Sequence, residues 1–260
     1  MINEITIVIP TYNEEKNIYE TLNACRDFKK IILVDSYSTD DTEKIADKFK
    51  NVSITKYKFD NYVNKINFCI SLVNSNYTLI LDADYVLSKE IVDEIKSFEE
   101  FEKYDGFKFN IYFKILNKPI TIDIYPSKTL LFKTGLEKYT SEGHREVSKL
   151  SGNLYKFKSP IYHEDKKEFK IWLKNQFNIS DLESDFIINK KNLDLKSIIR
   201  KIPFIPILAS PIYLILKFKI LKFGISGIIF LIQRLIYEII LNINVQKKLL
   251  SNMIKALKSR

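Results

Sequence analysis

Through its first hundred residues the chain alternates short, almost unbroken apolar runs with segments whose apolar positions recur at helical spacing. The runs "ITIVIP" (5–10), "IILVD" (31–35), "SITKYK" (53–58) and "YTLILDAD" (77–84) have strand length. The stretches 14–28, 40–50, 61–75 and 88–103 between and after them carry the helical period. Strands that are apolar on both faces and separated by helices build a parallel sheet covered on both sides. The pattern therefore predicts a doubly wound α/β domain. After residue 105 the rhythm changes. "GFKFNIYFKI" (106–115), "PITIDI" (119–124) and "TLLFK" (129–133) alternate apolar and polar positions, as mostly antiparallel additions to a sheet do. A polar loop, 134–146, precedes a strand near 154–162 and a helical stretch, 166–189. The expected division is a domain over 1–190 and an apolar, basic helical region over 191–260.

Charge sharpens that division. The chain carries a net +9, yet residues 190–260 hold 14 basic and 2 acidic side chains, whereas residues 1–189 hold 27 and 30. The whole basic excess lies in a segment that is also strongly apolar, which favours an anionic membrane surface over nucleic acid. The hydrophobic fraction of 46% describes a folded protein, not a disordered one. Cys25 and Cys69 have no metal-like spacing and read as buried thiols of a reducing compartment. The opening "MINEITIVIP" lacks the basic region and apolar length of a secretion signal, so the expected location is the cytoplasmic face of the inner membrane, peripherally held.

In open parallel sheets, ligands bind beyond the carboxyl ends of the strands where the strand order reverses. Three strand ends carry polar clusters here: Pro10 to Glu14, Asp35 with Ser36, and Asp82 with Asp84. Two carboxylates one residue apart repel unless a cation or a solvated turn relieves them. A hard divalent ion is one answer, and an ordinary helix cap, for which Asn, Asp, Ser and Thr are well suited, is the other. Three clusters at three strand ends favour a ligand site.

"IVIPTYNEEKNI", "ILVDSYSTDDT", "FDNYVNKINFCISL" and "YTLILDADYVLS", in that order and spacing, resemble the family 2 glycosyltransferases, which have the GT-A fold. The nearest flavour is that of bacterial enzymes extending lipopolysaccharide cores and other surface glycans. The resemblance implies a nucleotide-sugar donor, with UDP the expected nucleotide. It implies that Pro10, Thr11, Tyr12, Asn13 and Glu14 line the nucleotide pocket, that Asp35 meets the uracil ring, and that Lys65, Asn67, Asp82 and Ala83 complete the donor site. Asp84, with Asp82 and the late His163, is then expected to hold Mn²⁺ or Mg²⁺ against the diphosphate, neutralising charge on the leaving group. The sequence departs from these relatives at Tyr85, where a Glu commonly follows, and at Leu130, where they carry Arg.

An inverting transfer needs a base to take the proton of the attacking hydroxyl. "TSEGHREVSKLSG" (140–152) resembles the relatives' His-Glu element, making Glu146 the expected base and Glu142 the second candidate; an ordinary charged loop is the alternative. The acceptor is expected to be a lipopolysaccharide, a lipid-linked glycan or another surface glycan. A nucleotidyltransferase shares such a sheet but opens on a Gly-rich loop, and "PTYNEEKN" has no Gly. A catalytically inactive homologue acting as a membrane-bound assembly partner is the non-enzymatic alternative. In the tail, "IPFIPILASPIYLIL" and "KFKILKFGISGIIFLIQRLIYEIILNI" read as amphipathic helices lying in the membrane interface, with a buried hairpin, a homodimer interface, or a re-entrant or spanning segment as alternatives.

Overall fold

The computed structural model describes residues 1–142, 145–148, 150–190 and 195–258. They divide into two compact units, residues 1–140 with 146–166, and residues 141–145 with 167–260. The second unit thus starts at Lys167, ahead of the expected boundary at 191. The reason is local: the helix over Phe169–Asn189 buries Ile187 against Leu241 and Val245 of the C-terminal helix.

The first unit opens β1 (Ile5–Thr11), α1 (Ile18–Ala24), β2 (Lys30–Asp35), α2 (Thr42–Ala46), β3 (Val52–Lys56), α3 (Tyr62–Ser71), β4 (Tyr77–Ile80), β5 (Tyr85–Leu87) and α4 (Lys89–Ser97). Then follow β6 (Gly106–Phe109), β7 (Ile111–Ile115), β8 (Lys118–Ile120), β9 (Lys128–Lys133), β10 (Tyr139–Glu142), β11 (Arg145–Ser148), β12 (Leu154–Lys156) and β13 (Ile161–His163). The main sheet has the order β12-β6-β9-β4-β1-β2-β3. β1 pairs in parallel with both β2 and β4, and β2 with β3, while β9 runs antiparallel between β4 and β6. The order therefore reverses at β1, and the crevice lies beyond the carboxyl ends of β1, β2 and β4.

Burial explains the parallel half. Ile5, Ile7 and Ile9 point to one core with Leu22 of α1 and Ile91 of α4. Val8, Ile32 and Val34 point to another with Ile66 and Cys69 of α3. Both sheet faces are covered, as the unbroken apolar runs require.

Two predicted strands turn out to be split. The run 106–115 breaks at Asn110, sending β6 to the main sheet and β7 to a second sheet of order β5-β13-β7-β8. The run 154–162 divides because the amides of Lys158 and Ser159 donate to the Glu94 carboxylate at 3.0 and 2.9 Å, pulling the chain off the strand line before Pro160. The helix over 88–103 ends at Ser97, where Phe98 turns to extended geometry and packs edge-on against Phe107, with Phe101 tilted against the same ring from a 3-10 turn. β12 pairs in parallel with β6, an exception to the antiparallel expectation.

The second unit contains α5 (Phe169–Asn189), α6 (Leu195–Lys201), α7 (Ile205–Phe218), a 3-10 turn over Ile220–Phe223, and α8 (Ile225–Lys258). Gly224 makes the turn into α8 at φ +59°, a conformation costly for any residue with a Cβ. Gly227 then lets α8 lie on that turn, because an added Cβ would sit 2.2 Å from the Ile220 carbonyl oxygen.

Candidate functional site

Two loops form one rim of the crevice and are stitched together by side chains. The Asn13 amide donates to Ser38 Oγ at 2.8 Å, Glu14 to Thr42 Oγ1 at 2.8 Å, and Glu15 to Asp40 Oδ2 at 3.1 Å. In return the Thr39 amide donates to Asn13 Oδ1 at 2.8 Å. The polar run after β2 is therefore more than a helix cap: Asp41 at the start of α2 makes no side-chain cap bond, and its neighbours hold the first loop instead. Asn13 adopts φ +53°, a left-handed conformation that Asn tolerates better than most residues. Tyr12, 55% exposed, stands out from this rim, while Pro10 and Thr11 are buried in β1. Glu14 accepts from Asn17 Nδ2 at 2.9 Å.

Asp35 ends β2 opposite Thr11. Its side chain is 0% exposed. Ser38 donates to it through its amide at 2.8 Å and its hydroxyl at 2.5 Å, and Lys56 Nζ lies 3.1 Å away. Burial pushes the carboxyl up, yet the Ser38 bonds and the Lys56 ammonium prevail and hold it below the usual range. In this structure Asp35 organises the loop, and its Oδ1 carries a single donor, the Ser38 hydroxyl. Beside it the Ser36 hydroxyl is buried without a hydrogen-bond partner, an unsatisfied group of the kind a ligand would complete.

α3 approaches from the other side. The Lys65 ammonium is buried and donates to the Thr11 carbonyl at 2.7 Å, an oxygen that also accepts from the Ser36 amide at 2.9 Å. Desolvation lowers the lysine pKa to about 8. Asn67, on the same helix, is bonded to the chain ahead. Its amide exchanges two bonds with the backbone of Tyr139, Nδ2 to the carbonyl at 3.1 Å and Oδ1 from the N–H at 3.0 Å. Asn67 thereby fixes the start of β10, the strand leading to the expected bases. The side chains of Glu142 and Glu146 lie outside the described residues, as does His144; the backbone places Glu142 at the end of β10 and Glu146 within β11.

β4 ends at Ile80, earlier than the apolar run suggests, although the Leu81 amide still reaches the Val8 carbonyl at 3.1 Å. Asp82, Ala83 and Asp84 form the turn into β5, closed by the Tyr85 amide on the Asp82 carbonyl at 3.0 Å. Ala83 is buried, and its carbonyl accepts from Thr21 Oγ1 at 2.7 Å. The two carboxylates have different partners. Asp82 accepts a bond from the Tyr62 hydroxyl, while Asp84 Oδ2 lies 3.1 Å from His163 Nε2. β13 delivers that histidine: it pairs with β5 at His163↔Tyr85 and with β7 at His163↔Phe113. The imidazole packs against Tyr85 at 5.4 Å and Phe113 at 4.9 Å between centroids. Burial disfavours its cation, but the Asp84 charge and hydrogen bond outweigh that and raise its pKa. Tyr85, at the position where the resemblance leads one to expect Glu, is buried; burial and the Asp82 charge push its phenol far up, and Lys128 donates to its hydroxyl at 3.3 Å.

Among the described residues no three His, Cys, Asp or Glu side chains converge into a closed metal cage. A nucleotide-bound Mg²⁺ or Mn²⁺ does not need one, since such ions take one or two protein ligands and fill the rest with phosphate oxygens and water. The Asp84–His163 pair, 17% and 28% exposed, offers one carboxylate oxygen and one imidazole nitrogen side by side at the crevice, with Asp82 one residue from Asp84. The donor set fits that kind of ion. Sequence reasoning missed Tyr62, Ser38 and Lys56, whose roles arise from contacts between separate elements. Only the spacing Asp35–Ser38, suited to a local side-chain turn, hinted at one of them.

Residues 6–122 match the model of Glycosyl transferase family 2. An uncharacterized glycosyltransferase of Rickettsia conorii is 37% identical over 94 residues, 36% of this chain and 33% of that protein. The SPbeta prophage-derived glycosyltransferase SunS of Bacillus subtilis is 42% identical over 89 residues, 33% of this chain and 21% of SunS. Staphylococcus aureus poly(ribitol-phosphate) beta-N-acetylglucosaminyltransferase TarS is 30% identical over 106 residues, 36% of this chain and 18% of TarS. The match thus spans a third or less of each of these relatives. Among solved structures, mannosyltransferase PcManGT from Pyrobaculum calidifontis, in complex with GDP-Man and Mn²⁺, superposes with a TM-score of 0.55 at 11% identity, covering 94% of this chain and 87% of that one. The fold is GT-A, with an apolar helix at the C-terminal end.

Proposed function

Because residues 6–122 carry the sequence of glycosyl transferase family 2, we propose that the protein moves a sugar from a nucleoside diphosphate donor, UDP-linked, to a hydroxyl of a glycan or lipid-linked acceptor with inversion. The observation that carries this reading is the Asp84–His163 pair, brought together from the turn after β4 and the end of β13. Asp84 and His163, with Asp82 beside them, would hold Mn²⁺ or Mg²⁺. Bound there, the cation supplies charge neutralisation to a diphosphate leaving group.

The chain's own residues do the remainder. The stitched loops of Asn13 and Ser38 fix the rim on which Tyr12 offers a ring face to a nucleobase. Lys65 brings a buried positive charge beneath the Thr11 carbonyl, towards which diphosphate charge is drawn. Glu146, or Glu142 in its place, takes the proton of the acceptor hydroxyl as its oxygen bonds to the anomeric carbon and the bond to the nucleoside diphosphate breaks. Asn67 fixes the approach to that segment through Tyr139.

A thermal-shift screen of nucleotide sugars with and without Mn²⁺ tests the proposal. A ligand at 100 times its dissociation constant adds about 2.7 kcal/mol. The expected result is a shift with a UDP-sugar that grows with Mn²⁺ and is lost in Asp84→Asn. Binding without any donor hydrolysis or transfer would instead identify the inactive homologue, and no shift with any nucleotide sugar would overturn the reading.

A further inference from the structure

The second unit wears its apolar side chains outside. Along α8, Arg234, Glu238, Asn242 and Gln246 recur every four residues and point inward. Arg234 Nη2 donates to Glu238 Oε1 at 2.5 Å and its Nε to Ser210 Oγ of α7 at 3.1 Å. Asn242 Nδ2 donates to the Ile202 carbonyl at 3.4 Å, and Gln246 Nε2 to that of Lys201 at 3.0 Å. Arg200 of α6 completes the set, 3.0 Å from Glu183 of α5 and 4.0 Å from Glu238. Facing out on the same helix are Ile225, Ile228, Ile232, Ile239 and Ile243, and on α7 Leu208, Ile212, Ile215 and Leu216. A helix on the surface of a water-soluble unit has the reverse distribution.

Charge follows the same logic. Between Phe223 and Gln246 the only charged residues are Arg234 and Glu238, which pair with each other, and between Ile202 and Leu216 there are none. Lysines mark both ends of this band: Lys217, Lys219 and Lys222 at the α7–α8 turn, and Lys201, Lys247 and Lys248 at the other end. Contacts of Phe204 with Asn242 and of Ser210 with Arg234 set the two helices antiparallel, so the groups lie at opposite ends of a hairpin. From Ile225 to Gln246 the helix rises about 32 Å, close to the roughly 30 Å of a bilayer's hydrocarbon core. α8 is also long and apolar enough to cross one.

We infer that the second unit is embedded in a lipid bilayer, with α8 crossing the hydrocarbon core, the shorter α7 inserted antiparallel beside it, and lysines meeting the headgroups on both sides. A helix lying flat in the interface keeps a polar face for water. In α8 that polar stripe is spent on α5, α6 and α7, which leaves no such face. Ionisable side chains within a membrane face the interior and pair with one another, as Arg234, Glu238, Arg200 and Glu183 do. This inference goes beyond the donor-site reading and does not depend on it.

The test uses the full chain in sealed vesicles containing anionic lipid, recovered by flotation to separate insertion from aggregation. The expected protein stays with the vesicles through high salt and alkaline carbonate. Cys25 and Cys69 are buried, so an introduced thiol can be read against a silent background. Lys219→Cys and Ser251→Cys should react with a membrane-impermeant maleimide from opposite faces, one of them only after the vesicles are opened. Ile232→Lys, which places a charge on the outward face, should lower the inserted fraction by about tenfold or more. Release by carbonate, equal labelling of both cysteines in sealed vesicles, or a soluble homodimer buried through these isoleucines would each overturn the inference. Loss of nucleotide-sugar binding with insertion intact would sink only the proposed function.

Discussion

Replacing Lys65 by Met should make the fold more stable at neutral pH and less stable in alkali. Lys65 is 3% exposed, and burial lowers its pKa to about 8 in spite of the favourable charges of Asp35 and Glu14. Against the ordinary lysine value of 10.5, keeping that ammonium charged inside the fold costs roughly 3 kcal/mol at pH 7. The folded pKa lies below the unfolded one, so between about 8 and 10.5 the unfolded chain binds more protons and stability rises with pH. Below that window the penalty is full, and above it the penalty is gone. Met removes the penalty and deprives the Thr11 carbonyl of one of its two donors; the Ser36 amide remains, so the loss is about 1 kcal/mol. The variant should therefore be about 2 kcal/mol more stable at pH 7 and about 1 kcal/mol less stable above the window, with the sign changing inside it. Pulse labelling of Cys25 and Cys69 along a urea series reads opening of the first unit, and comparing both proteins at each pH cancels every shared titration. Parallel stability curves across the window would refute the reasoning. If the charge is retained for a diphosphate, the same variant should bind UDP-sugar about tenfold or more weakly, the loss of a contact worth ~1.4 kcal/mol.

Asp84→Asn should keep the fold and abolish the Mn²⁺-dependent part of donor binding, measured by calorimetry; undiminished activity with EDTA present would end the metal assignment. Glu146→Gln should lower turnover by roughly 10² with donor affinity near normal, and a crippled Glu142→Gln beside an active Glu146→Gln would reverse the choice of base. Ser38→Ala should let the Asp35 pKa rise towards the ordinary carboxylate value. Because Asp35 titrates below that value in the fold, its contribution is present above it and lost as pH falls, so the variant should acid-unfold at a higher pH than the parent, as followed by circular dichroism.

The parallel half of the sheet was legible because burial on both faces leaves a mark that needs no partner to interpret: Ile5 to Ile9 and Ile31 to Val34 are apolar without a break. Alternating runs are weaker guides. "GFKFNIYFKI" has one period throughout, and nothing in it marks Asn110 as the point where the strand leaves one sheet for another. The break between β12 and β13 depends on Glu94, more than sixty residues earlier. In the tail, the sequence displays both the apolar and the polar stripe of α8, but only packing reveals which one faces in. Polar residues at spacing four are equally suited to meeting water or to clasping neighbouring helices, and bonds from Asn242 and Gln246 to the end of α6 and the residue after it decide for the latter.

The paired carboxylates show how far spacing alone can carry an assignment. Asp82 and Asp84 look equivalent on the page, both set just past an apolar run. The turn that follows β4 separates them, and each meets a different element: Tyr62 from the start of α3 binds Asp82, and His163 from the end of β13 approaches Asp84. A phenol donor holds its carboxylate in place without bringing charge. An imidazole, once neutral, can share a cation with the carboxylate beside it. Asp84 is thus the carboxylate whose partner can itself become a ligand, and Asp82 the one whose partner restrains it. Exchanging the two environments tests this directly. Tyr62→Phe should free Asp82 and disturb donor affinity modestly, whereas His163→Phe should weaken Mn²⁺ binding while sparing nucleotide binding without the ion. Equal loss of Mn²⁺ affinity in both variants would show that the two carboxylates act as one unit and that their partners do not divide the work.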